Sequence, residues 1–302
     1  MLSKTTVILM VWDKVKDVSF KFFGRSLEPY VKYFEGIKPD LQKANLSISI
    51  TEYVYIMVFT LLLTFAIEFP LIVIITSLLF GVAPLAFIFS ITITIFILLG
   101  VFFIFYSYPS YISGARKKRI DIALPFVATY MATVASSGAP PQTMFKVLGR
   151  FKEYGEIAKE AEKIDRDVEA FGMDIVSAMR KTANRTPSAD FKELLWGLDT
   201  VISTGGNIGN YLHAKSKTFM QEHRRRLQQF SQTLSLLIEM YLTVILVGSI
   251  FFVIMTALMS IFGGGEMSLF ISFLQFIVIF LILPVVSIGF IFLLKSIAPV
   301  SS

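Results

Sequence analysis

Residues 53–106 read YVYIMVFTLLLTFAIEFPLIVIITSLLFGVAPLAFIFSITITIFILLGVFFIFY, and Glu68 is the single Asp, Glu, Lys or Arg among them. A helix crosses the hydrocarbon core with about 20 residues at about 1.5 Å each, so this run is too long for one span and suits two. Gly81-Val82-Ala83-Pro84 supplies the turn between them. Ser49-Ile50-Thr51-Glu52 has the spacing of a capping box, which starts the first span near residue 50. A second apolar block covers 233–294 and is broken at Phe262-Gly263-Gly264-Gly265-Glu266, giving spans near 233–261 and 267–294. The expected fold is an all-α membrane protein with four transmembrane helices.

The composition agrees. The chain is 55% hydrophobic and only 17% charged, with 30 Phe, whereas soluble domains run at about 45–50% and about 25%. A lipid-facing surface accounts for that excess better than a large core does. The net charge of +6 does not point to nucleic acid, because the basic residues lie outside the apolar runs, where a topology signal belongs. Eight Lys and Arg precede the first span, nineteen lie between the second and third, and Lys295 follows the fourth. The two short turns carry none. The positive-inside bias therefore predicts that both termini and the central region are cytoplasmic. The absence of Cys excludes a disulfide framework, a thiolate zinc site and a cysteine nucleophile.

The expected organisation is a cytoplasmic N-terminal stretch at 1–49, spans one and two at 50–107, a helical domain at 108–232, spans three and four at 233–295, and a short tail at 296–302. In the first stretch, Val7, Met10, Val11, Val15, Val18 and Phe22, with Lys14, Lys16 and Lys21 beside them, predict an amphipathic helix rather than a cleaved signal peptide.

The central region is helical in pattern throughout. Ile157, Ala161, Ile164, Val168 and Phe171 form one apolar stripe, and Phe191, Leu194, Leu195, Leu198, Val201 and Ile202 form another. Pro140-Pro141 marks a helix start, and Thr186-Pro187 suits an N-cap followed by proline. Gly138, Gly172 and Gly205 mark helix ends in the left-handed conformation. Thr133-Val134-Ala135-Ser136-Ser137-Gly138 echoes Thr200-Val201-Ile202-Ser203-Thr204-Gly205, and the same offset sets Met144 and Phe145 opposite Tyr211 and Leu212. The region therefore reads as a bundle of about six helices built from two related helical hairpins. From 210 to 247 there is no Gly or Pro, which allows a rod of about 57 Å that carries span three into the domain. Met220, Leu227, Phe230, Leu234 and Leu237 give it a heptad-like seam.

Little in the chain carries chemistry. Gly205-Gly206-Asn207-Ile208-Gly209 lacks the Lys and Ser/Thr of a phosphate loop and reads as a turn. His213 and His223 have no metal-ligand spacing, and His223 falls on the seam of the rod. Glu153, Glu156, Glu160 and Glu162 alternate with Lys152, Lys159 and Lys163, the pattern of a solvated face. No catalytic residue and no cofactor or metal site is nominated. Glu68 and Glu239 are carboxylates at membrane depth, expected to be buried against Ser, Thr or Tyr, with a small transporter as the alternative function. A sensor scaffold has no recognisable signalling domain behind it. Arg116, Lys117, Lys118 and Arg119 follow span two and are expected to face anionic lipid. Arg224, Arg225 and Arg226, with Arg180, Lys181 and Arg185, are candidates for docking an acidic protein partner.

One resemblance runs through this region. Tyr108-Pro109-Ser110, Arg119-Ile120-Asp121, Leu124-Pro125-Phe126, Ser136-Ser137-Gly138-Ala139-Pro140 and Tyr154-Gly155-Glu156 occur in order. Arg166-Asp167-Val168, Ala183-Asn184-Arg185-Thr186-Pro187-Ser188, Ser203-Thr204-Gly205-Gly206 and Glu239-Met240-Tyr241 continue the series. From about 108 to 247 the chain resembles the type II secretion F-domain family, the membrane platforms of archaella and type IV pilus-like machines. Residues 43–53 are similar to the lead-in of archaeal members. The resemblance implies docking of a hexameric secretion ATPase to the cytoplasmic domain, and insertion or extraction of pilin or archaellin subunits. Many archaellum platforms carry two such domains; this chain has one, which makes a homodimer the expected assembly.

Overall fold

The computed structural model describes residues 28–46, 48–81, 83–262 and 264–297, so the amphipathic helix expected before residue 28 lies outside it. Every regular element described is helical. The chain divides into two compact units, one ending at Phe219 and one beginning at Met220.

The first unit opens with a helical turn, Glu28–Val31, a 3-10 turn, Lys32–Ile37, and α1, Lys38–Lys43. Next comes α2, Ile50–Phe80, whose start is fixed by the expected capping box. The Ser49 Oγ accepts from the Thr51 N–H at 3.2 Å, while the Glu52 carboxylate accepts from the Ser49 N–H at 3.0 Å. Gly81, with φ of 61°, ends α2 in the left-handed region. Near that turn the Thr76 and Ser90 hydroxyls share a buried hydrogen bond of 2.6 Å, a polar tie between two lipid-exposed helices.

α3 then runs from Ala83 to Ser136 without a break, about 80 Å of helix at 1.5 Å per residue. Span two and the first helix of the domain are thus one element. The sequence suggested such a rod only for span three. Pro109 lies inside α3 and has no N–H to give to the carbonyl four residues earlier, that of Phe105. The fully buried Tyr53 fills the gap: its hydroxyl donates to the Phe105 carbonyl at 2.6 Å. That bond replaces the missing one and pins the base of α2 to α3.

Five further helices complete the bundle: α4 (Pro141–Arg150), α5 (Glu156–Glu169), α6 (Ile175–Arg185), α7 (Ala189–Ser203) and α8 (Ile208–Leu242). Their apolar stripes meet in one core, with Ile120, Leu124 and Met131 of α3 against Phe145, Ile164, Met179, Phe191, Leu198 and Leu212. Burying each such side chain stabilises the fold by about 1.5–3 kcal/mol. Both predicted stripes hold except at Phe171, which is exposed. Gly138, Gly172 and Gly205 have φ of 77°, 63° and 70°, as their positions at helix ends require. The N-cap of α7 is Ser188, not Thr186: the Ser188 Oγ accepts from the Phe191 N–H at 3.1 Å, while Thr186 closes α6. Thr-Pro is an extended pair, which delays the next helix by two residues.

The second unit holds the remainder of α8, a π-helical turn at Thr243–Val247, α9 (Gly248–Phe262), α10 (Gly264–Ile277), a second π turn at Val278–Ile282, and α11 (Leu283–Ile297). Tyr241 stacks on Phe290 with ring centres 4.2 Å apart, and its hydroxyl meets the Ser287 Oγ at 2.8 Å. Among the described residues, four helices are long and apolar enough to cross a membrane.

Candidate functional site

The site of interest is where α3 passes from the bilayer into the domain. Tyr106, Tyr108 and Tyr111 are exposed there, the signature of a membrane–water interface. Five residues beyond Tyr111 the chain turns a cation inward. Arg116, expected to face lipid, is only 3% exposed. Its Nε donates to Glu156 at 2.7 Å, its Nη2 to Glu160, and its Nη1 to the Lys43 carbonyl at 2.8 Å. The reason is the desolvation cost of a buried guanidinium, which only carboxylates and carbonyls in the right places offset. Lys117, Lys118 and Arg119 are exposed.

The carboxylates that receive Arg116 lie on α5, on the face whose charge alternation suggested solvent. Glu160 is in fact buried and Glu156 nearly so. Lys159 bridges Glu156 and Lys163 bridges Glu160, each at 2.8 Å and three residues along the helix. Burial alone would raise the Glu156 pKa, but the hydrogen bonds and charges of Lys159 and Arg116 outweigh it and hold the carboxyl below its ordinary value. Lys163 also donates to the Asn45 side chain at 2.6 Å. Asn45 has φ of 57°, a left-handed conformation that Asn tolerates. Arg116 and Lys163 thus clasp the segment before span one onto α3 and α5.

The predicted docking residues fare differently from one another. Arg180 grips the buried Asp199 with two hydrogen bonds, 2.6 and 3.0 Å, and Lys181 pairs with the buried Asp167 at 2.7 Å. Both are committed to their own domain. Arg185 is exposed and has no ion pair among the described residues. Arg224, Arg225 and Arg226 are all exposed on α8, with Arg226 3.8 Å from Glu222. The buried acids, Asp167, Asp199 and Glu160, were not singled out in sequence for burial, because nothing in a charge pattern distinguishes a paired carboxylate from a solvated one.

Asp199 gives a pH prediction. The hydrogen bond from Arg180 is the largest influence, and with that of Ser203 and the Arg180 charge it outweighs burial and holds the Asp199 pKa below its ordinary value of about 3.8. A depressed carboxyl contributes stability that is present above its unfolded pKa and is lost as pH falls through the folded one. Asp199→Asn should therefore lower the thermal midpoint of the intact protein at neutral pH. The gap to wild type should close on acidification below about pH 4. A gap that is constant with pH would mean the pair does not titrate as described.

At the far end of α3 the first of the echoed turns meets α8. The Ser136 Oγ lies 3.1 Å from the His213 Nε2. Phe145 and Leu212, set opposite one another by the sequence echo, are both fully buried. His223, on the rod, is half-buried. Glu68, in the first unit, is half-buried, and its Oε2 is enclosed with no hydrogen-bond partner among the described residues. The expected Ser, Thr or Tyr partner for that oxygen is not there. Glu239, in the second unit, is exposed.

Residues 127–256 match the family model described as type II secretion system protein F. The chain carries a type II secretion F domain. The matched stretch begins within α3, later than Tyr108, and ends within α9. An uncharacterized protein of Methanocaldococcus jannaschii is 28% identical over 165 residues, 54% of this chain and 27% of that protein. Flagella accessory protein J of the same organism is 25% identical over 137 residues, 45% of this chain and 24% of the relative. Flagella accessory protein J of Methanococcus voltae is 24% identical over 139 residues, 46% of this chain and 25% of the relative. The matches thus span about a quarter of the length of these curated relatives. No solved structure matches the chain. The matched stretch is similar to type II secretion system protein F, and the four apolar helices among the described residues make the chain a multi-pass membrane protein.

Proposed function

We propose that the chain is a non-enzymatic assembly platform that couples a cytoplasmic secretion ATPase to insertion or extraction of pilin or archaellin subunits in the bilayer. The observation that carries this reading is the F domain itself: a six-helix bundle whose first helix, α3, is the same element as a membrane-crossing segment. A force on such a bundle reaches the membrane along a helix rather than through a linker. The α8 rod offers a second such route, and the relatives named flagella accessory protein J support the class of machine. Both termini and the F domain face the cytoplasm in this proposal, in accord with the distribution of Lys and Arg. In this proposal the platform works as a homodimer.

The candidate docking residues for the ATPase are Arg224, Arg225 and Arg226, exposed in series on the second unit; Arg180, Lys181 and Arg185 of the first unit are a separate candidate set, of which Arg180 and Lys181 are already paired. Partners carrying acidic surfaces gain association rate and orientation from such a patch. The test is co-purification of the full chain, in mild detergent, with the secretion ATPase of the same organism. Wild type should retain the ATPase, and the triple change of Arg224, Arg225 and Arg226 to Glu should lose most of it. Retention unaffected by the triple change would discard this face. No ATPase under any mild condition would discard the platform reading and return attention to Glu68 and transport.

A further inference from the structure

A small polar cavity opens beside the Arg116 clasp. Its walls bring together five cations, Arg116, Lys163, Arg166, Lys181 and Arg185, against two carboxylates, Glu160 and Asp167. Those carboxylates are already satisfied: Glu160 by Arg116 and Lys163, Asp167 by Lys181. Arg166 and Arg185 are exposed at the cavity and have neither an ion pair nor a side-chain hydrogen bond among the described residues. They come from different helices, α5 and α6, so no single helix periodicity brought them together. Two unneutralised guanidinium groups converging on one cavity repel each other unless an anion lies between them. Their planar forks match the oxygens of a phosphate group, and the side-chain amides of Gln42 and Asn45 line the same wall.

Depth and size narrow the ligand. Asn45 stands just before Ser49, the cap of span one. Arg116 lies five residues past the exposed Tyr111, about 7.5 Å along α3. The polar layer outside the hydrocarbon is about 5–7 Å thick on each side, so, measured from Tyr111, the cavity stands at its outer edge, where long arginine side chains can reach a headgroup phosphate. It holds about 40 Å³, room for the oxygens of one oxyanion, and every side chain that lines it is polar or charged, which does not suit an acyl chain.

We propose that this cavity binds the phosphate of an anionic lipid headgroup, held by Arg166 and Arg185, and so fastens the F domain to the bilayer surface beside the Arg116 clasp. The site differs from the exposed run of Lys117, Lys118 and Arg119, which attracts anionic lipid only through diffuse charge. Nothing in the proposal depends on which partner the platform serves.

The test uses the full chain in detergent, followed by thermal unfolding in three mixtures: micelles with phosphatidylcholine, micelles with phosphatidylglycerol, and phosphatidylcholine micelles with millimolar inorganic phosphate. Phosphatidylglycerol should raise the midpoint of wild type above the phosphatidylcholine value. The double variant Arg166→Gln/Arg185→Gln should lose more than half of that rise, while Lys117→Gln/Lys118→Gln/Arg119→Gln should keep most of it. Since neither Arg166 nor Arg185 is ion-paired, the double variant should unfold like wild type in phosphatidylcholine. A rise produced equally by inorganic phosphate, and lost in the double variant, would keep the oxyanion site and overturn the lipid as its ligand. No rise for wild type, or equal loss in both variants, would overturn the site.

Discussion

Arg116→Ala is expected to destabilise the protein by about 3–5 kcal/mol, the cost of removing one partner from a buried ion pair. The geometry explains why the effect should lie in that range. Arg116 and Glu160 are each 3% exposed and Glu156 is 11% exposed, so water cannot replace the lost guanidinium. Glu156 would keep Lys159, and Glu160 would keep Lys163, but both lysines reach outward and are better solvated than Arg116. The Lys43 carbonyl would lose its side-chain donor at the same time. The loss should therefore be both global and local. Thermal unfolding should fall, and amide exchange should rise first in residues 38–46, which Arg116 and Lys163 hold against the domain. Adding Glu156→Gln and Glu160→Gln to Arg116→Ala should restore part of the midpoint, because uncharged amides relieve the stranded negative charge. Arg116→Ala with a wild-type midpoint and unchanged exchange at 38–46 would mean that the network adds nothing to the fold.

What was legible in the chain beforehand follows from the strength of each local signal. The four apolar helices were readable because lipid tolerates so few charges, and the capping box at Ser49 because two reciprocal hydrogen bonds need one fixed spacing. Gly138, Gly172 and Gly205 announced helix ends because only glycine adopts positive φ freely. The fate of Arg116 was not readable. It sits in a run of four basic residues, and the run looks the same whether one member turns inward or none does. Its partners lie 40 and 44 positions away on α5, a distance at which charge patterning carries no information. The continuity of α3 was hidden for a related reason. Pro109 and Pro125 both argue for breaks, and at Pro109 the Tyr53 hydroxyl, donated from α2, supplies the bond that the Phe105 carbonyl would otherwise lack. Tertiary partners decided each of these cases against the local rule.

Gly197→Ala carries the second large effect, and its sign depends on one neighbour. In a solvated helix that change would stabilise by about 1 kcal/mol, since alanine is the better helix former. Gly197 lies inside α7, however, and a Cβ there would overlap the ring of Tyr211 on α8. Tyr211 cannot simply swing away. Its hydroxyl donates to the carbonyls of Leu194 and Glu193 at 3.3 and 3.4 Å, and its ring is half-buried. Burial, with the charge of Glu193, pushes its pKa up to about 12, so the phenol stays neutral and remains a donor at any physiological pH. Overpacking at such a point costs about 1–3 kcal/mol, which exceeds the gain in helix propensity. Gly197→Ala should thus lower stability by about 2 kcal/mol in the wild-type background. In a Tyr211→Ala background the same change should become neutral or stabilising by about 1 kcal/mol, because the space is empty and only propensity remains. Equal costs in the two backgrounds would show that the close approach of α7 and α8 is not made at this contact. The pairing matters for the proposed function because α8 leaves the F domain toward the third apolar segment. Under the proposed function, Gly197→Ala should therefore leave recovery of the secretion ATPase unchanged and lower filament assembly.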